Sequence, residues 1–82
     1  MSYQPQVFNV VVWLNRTSQF DEAKTELLSI AQQKPFESFD DGSSVRFIWG
    51  FGAAPEAETF AAVFDHLPNR FGAIVMVQNP LS

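Results

Sequence analysis

Hydrophobic and polar positions alternate with period two over residues 7–15. The even positions, Phe8, Val10, Val12 and Leu14, are all apolar, while Val7, Asn9, Val11, Trp13 and Asn15 are mixed. Alternation rich in β-branched residues predicts a half-buried strand with its even face on the core. The period then lengthens. Phe20, Ala23, Leu27, Ile30 and Ala31 recur at steps of three and four, which predicts an amphipathic helix over 19–34. Ser18 is its expected N-cap, and Asp21 and Glu22 complement the dipole of the first turn. Pro35 is its expected stop, because the residue before a proline is pushed out of the helical region.

Period two returns after this helix. Val45, Phe47, Trp49 and Phe51 alternate with Arg46, Ile48 and Gly50, predicting a strand over 43–51. Asp40-Asp41-Gly42 is a tight-turn signal, since glycine accepts positive φ and aspartate bonds its own backbone. A short strand over 36–40 is therefore expected to form a hairpin with the longer one. Pro55 suits a first helical position, and Ala57, Phe60, Ala61, Phe64 and Leu67 mark the buried stripe of a second helix over 55–67, ended by Pro68-Asn69. The last strand, 71–78, is nearly all apolar, a pattern expected of a central strand or one covered on both faces.

The predicted order is strand, helix, hairpin, helix, strand. It resembles the ferredoxin-like split βαβ topology over nearly the whole chain. The resemblance implies an α+β domain with a four-stranded antiparallel sheet and two helices on one face. It carries no function. Without the short second strand, a three-stranded α/β sandwich is the fallback.

Length narrows the picture to one domain, since 82 residues leave no room for a second. Small domains need a dense core or a partner. Nine phenylalanines, which bury without a polar atom to satisfy, supply the core and argue against intrinsic disorder. The chain has no cysteine, which excludes disulfides, thiolate metal sites and cysteine nucleophiles. The first residues show no basic region followed by a long apolar run, so a reducing, cytoplasmic setting is expected. The sequon Asn15-Arg16-Thr17 is read as chance. Apolar runs such as 10–14 are too short to span a bilayer, and no membrane partner is expected. The net charge is −4, and the five basic residues are scattered, so direct nucleic-acid binding is not expected either.

Candidate chemistry is sparse. His66, the single histidine, is expected near the end of the second helix as a surface or capping residue. Ser43, Ser44 and Thr59 lack an elbow sequence and a nearby base. Gly50-Phe51-Gly52 invites comparison with the aromatic motif of RNA-recognition domains, but Arg46 is the only basic residue on that strand, and Phe47 and Trp49 read as core. No catalytic residue, no cofactor and no metal ligand is assigned, and no enzyme class is favoured.

The sheet face turned away from the helices is the most informative feature. If the even residues of the first strand meet the helices, then Val11 and Trp13 face away, with Arg46 and Ile48 from the third strand. The last strand adds either Ile74 and Met76, or Ala73, Val75 and Val77. A face with Val11, Trp13, Ile48 and Met76 is unusually apolar for a free surface. Glu37, Asp40 and Asp41 form a second candidate, an acidic patch in the hairpin. These features lead to the expectation of a non-enzymatic module that occludes a basic surface on a protein partner, as a phage-type inhibitor or an antitoxin-like protein would. Two alternatives remain open. One is a homodimer that packs its open faces into a ferredoxin-like barrel around a small apolar ligand, either a binding protein or an enzyme, with His66 or Asn9 supplying polar chemistry. The other is a structural subunit of a larger assembly.

Overall fold

The computed structural model describes residues 8–79. The elements run β1 (Phe8–Asn15), α1 (Phe20–Ala31), β2 (Glu37–Asp40), β3 (Ser44–Phe51), α2 (Ala54–Ala62), α3 (Leu67–Phe71) and β4 (Ile74–Gln78). The fold is α+β. The described residues form one sheet of order β2-β3-β1-β4, with every neighbouring pair antiparallel. β1 and β3 are the long central strands, and β2 and β4 are the edges. Among the described residues no helix is long and apolar enough to cross a membrane.

Alternation places the core as the sequence predicts. Val10, Val12 and Leu14 from β1 and Val45, Phe47 and Trp49 from β3 are buried on one face. The helices cover that face with Phe20, Ala23, Leu27 and Ala31 from α1, Ala57 from α2, and Phe64 and Leu67 beyond it. Trp49 anchors the layer. Its ring lies 5.3 Å from Phe60 and 5.4 Å from Phe64, centroid to centroid. Its Nε1–H donates to the Gln33 carbonyl at 3.2 Å, so the only polar atom of the indole is satisfied.

Several boundaries differ from the predicted ones, each for a local reason. Val7 lies outside the described residues. α1 stops at Ala31 because Gln32 turns left-handed (φ 59°) and returns its N–H to the Leu28 carbonyl; this is an αL cap that precedes Pro35 by three residues. Ser18 does not cap the helix. The Thr17 hydroxyl accepts from the Gln19 N–H instead, at 3.2 Å. β2 begins at Glu37, and Phe36, 72% exposed, only donates its N–H to the Ile48 carbonyl.

The second helix is divided. After Ala62 the chain tightens into i→i+3 bonds from Val63, Phe64 and Asp65 to Phe60, Ala61 and Ala62, and α3 then starts at Leu67. Pro68 sits in the first turn of α3, where its missing N–H costs nothing. It opens a helix there and does not end one. α3 takes in Phe71 and closes on Gly72 (φ 70°), so β4 is shorter than predicted. The apolar run of β4 does not mark a central strand, because β4 forms an edge of the sheet.

Candidate protein-interaction face

The face opposite the helices is built in rows, because residues paired across antiparallel strands point to the same side. One row is Phe39, Arg46, Trp13 and Ile74; the next is Glu37, Ile48, Val11 and Met76; the third is Gly50, Asn9 and Gln78. Among the described residues no helix packs on this side. Phe39, Ile74 and Met76 are 46%, 55% and 38% exposed. Together they show on the order of 300 Å² of side chain, in the range of the largest apolar patches on monomers, which are often functional.

Among the described residues Arg46 is the one cation of this face. Its guanidinium carbon lies 4.8 Å from the centroid of the Phe39 ring and 5.9 Å from that of Trp13. Such stacking contributes about 0.5–2 kcal/mol, depending on desolvation. It also fixes the fork in place, so less entropy is lost when the group binds a carboxylate. Arg46 takes part in no ion pair among the described residues. Its Nε and the Asn9 Oδ1 are shielded from solvent and have no hydrogen-bond partner among the described residues.

The structure therefore brings together five of the residues expected at an interaction surface, Val11, Trp13, Arg46, Ile48 and Met76. It gives Val11 a different part. Val11 is 1% exposed, because it lies on central β1 between the larger side chains of Ile48 and Met76. It supports the face from below and cannot touch a partner. Two residues join the set. Ile74 comes with the Met76 register, one of the two weighed from sequence. Phe39 needed the pairing of β2 with β3, for which parity within β2 alone gave no signal.

The acidic hairpin is not one patch. Glu37 lies on the open face opposite Ile48. Asp40 accepts both the Nε and a terminal nitrogen of Arg16 and also the Gly42 N–H at 2.9 Å. The Arg16 bond, followed by the Gly42 amide, holds its carboxyl below the ordinary range, and the same pairing raises Arg16. Arg16 in turn stacks over Phe20, 4.6 Å from the ring centroid. Asp41 closes the turn itself. Its Oδ1 accepts the backbone N–H of Ser44 at 2.8 Å and of Ser43 at 3.0 Å, and these bonds lower its pKa. Both aspartates serve the hairpin, an Asx-type role. Asp41 is bonded through Oδ1 alone, and both residues stay exposed.

His66 lies in the helix layer, just before α3. Its Nε2 lies 2.6 Å from Glu26 Oε2 of α1. Arg70 joins this bridge, 3.1 Å from both Glu26 and Glu22. The group ties α3 to α1. It stands on the side away from Trp13, so His66 cannot serve a ligand enclosed between two open faces. Among the described residues no cluster of three His, Asp or Glu is arranged to hold a metal ion. Shallow grooves lined by Phe51, Pro55, Phe60 and Val63, by Leu28 and Pro35, and by Thr25 and Ser29 contain no residue of the open face.

No family model matches the chain, and no curated protein or solved structure does.

Proposed function

We propose that this chain is a non-catalytic protein-interaction module of ferredoxin-like arrangement, and that it docks through the open sheet face. The observation that carries this reading is the row Phe39, Arg46, Trp13 and Ile74. A guanidinium held between two aromatic rings, flanked by exposed aliphatic side chains on a face without helices, has the composition of an interface centre, where aromatics, Met and Arg are enriched. The sheet order, with β1 and β3 central and the hairpin strand at an edge, supports the ferredoxin-like arrangement.

The partner is a protein that offers an apolar patch with a carboxylate for Arg46, set in basic surroundings. The basic surroundings answer the net charge of −4 and the carboxylate of Glu37, which lies on the open face and is in no ion pair among the described residues. Opposite charge of this kind speeds encounter and confers salt sensitivity. Docking of so small a domain occludes what lies beneath it, so an inhibitory role follows from the same chemistry.

Affinity capture with quantitative mass spectrometry tests the reading on three immobilised forms. These are the wild type, the face variant Phe39→Ser/Ile74→Ser, and the helix-side control Val63→Ser. A stoichiometric protein retained by the wild type and the control, lost with the face variant and eluted by salt, supports the proposal. Identical retention by all three forms, or none by any, contradicts it.

A further inference from the structure

The two edges of the sheet are built differently. β2 is four residues long and carries Glu37 and Asp40 at its ends; β4 reads Ile-Val-Met-Val-Gln, without a charge. Short length and charge are the usual guards against edge-to-edge pairing. β4 has no charge to guard it, and within residues 8–79 no strand pairs with its outer side. Of the six large apolar side chains that stand exposed in those residues, three belong to β4: Ile74, Met76 and Val77. They lie on both faces of the strand. Ile74 and Met76 share the open face with Trp13 and Val11, whereas Val77 pairs with Val10 and points to the helix side. A ligand on either face would cover only one of these groups. A strand laid along the edge covers both.

We propose that β4 pairs antiparallel with β4 of a second copy of this chain, about a two-fold axis at Met76, to form a continuous eight-stranded sheet. In this register Ile74 stands opposite Gln78 of the other copy, Val75 opposite Val77, and Met76 opposite Met76. The strand is self-complementary, as an isologous contact requires, and no like charges meet across it. This matters for a chain of net charge −4, which would repel its own copy at an acidic surface. The pairing leaves both open faces uncovered and on the same side, so it is independent of the docking reading and doubles the surface that docking would use. A pair of five-residue strands buries less than the roughly 1,200 Å² of a standard interface, so dissociation is expected around micromolar concentration.

Sedimentation of the full chain across that range should show the mass rising from 9.2 kDa to twice that value. Added salt should favour the dimer, because it screens two chains of the same sign. Val77→Lys should weaken the dimer at least tenfold, while Phe39→Ser, at the far edge, should leave it unchanged. The chain has no cysteine, so Met76→Cys introduces a single thiol. On mild oxidation it should cross-link the dimer, since opposed Cβ atoms lie within about 5.5 Å, and Phe36→Cys should not. A monomer at every concentration, or Met76→Cys cross-linking no faster than Phe36→Cys, overturns the proposal. Loss of the dimer with Phe39→Ser but not with Val77→Lys would also overturn it, since that pattern belongs to dimerisation through the open faces.

Discussion

Trp13 and Trp49 are the same residue type on neighbouring strands, and the fold gives them opposite faces. Replacing each by phenylalanine turns this difference into a measurement. Trp49 is 2% exposed and its Nε1–H is bonded to Gln33. Reducing its indole to a phenyl removes roughly 40 Å³ of side chain, worth about 1 kcal/mol at about 24 cal/mol per Å³ of cavity. The lost hydrogen bond adds about 1 kcal/mol. Trp49→Phe should therefore cost about 2 kcal/mol, or a fall in Tm of roughly 8–16 °C for a domain of this length. Trp13 is half-buried, and its ring is one of two beside Arg46. Trp13→Phe keeps a ring there and leaves no enclosed cavity, so it should cost less than about 1 kcal/mol. Urea unfolding followed by circular dichroism gives both values without relying on tryptophan emission. Equal losses, or a larger loss at Trp13, would refute the assignment of the two faces.

Further outcomes follow from the turns and caps. Asp40 and Asp41 both have depressed carboxyl pKa values, so their stabilisation is complete above the unfolded value of about 4 and is lost as pH falls through the lower folded values. Thermal melts should show Tm falling below about pH 4, and Asp41→Asn should flatten part of that fall. Gly42 sits at φ 92° with nothing within 4 Å of an added Cβ, so Gly42→Ala should cost about 1 kcal/mol from backbone conformation alone, measurable by chemical denaturation. Gln32 holds the left-handed position after α1, and Gln32→Gly should raise stability by about 0.5–1 kcal/mol in the same assay.

The central strands and α1 were legible because their periods are local. Each side chain of β1 and β3 takes its face from its own alternation, and the stripe from Phe20 to Ala31 from helical spacing. What depended on pairing was not legible. The apolar run of β4 reads alike for an edge and for a centre, since strand order is decided by distant partners. Pro68 has two meanings, as a stop or as a first-turn residue, and only the tightening after Ala62 selects the second. At the candidate face, Trp13, Arg46 and Ile48 were legible from parity, whereas parity left Met76 in one of two registers that only the pairing of β4 with β1 decides. Phe39 was not, because its side follows from its register with Arg46. The division of the hairpin acids was not legible for a related reason. Adjacency in sequence suggested one patch, but the strand sends Glu37 to the open face and turns Asp40 toward Arg16, while Asp41 closes the loop.

Hydroxyl-radical footprinting of the protein, alone and in complex with the partner it retains, tests most directly whether the open sheet face is the docking surface. Trp13, Phe39 and Met76 are reactive side chains on that face, and Phe36 and Val63 lie outside its rows. The proposed docking predicts that the partner protects Trp13, Phe39 and Met76 from oxidation and leaves Phe36 and Val63 as reactive as before. Protection of Val63 or Phe36, with the labelling of Trp13, Phe39 and Met76 unchanged, would contradict it.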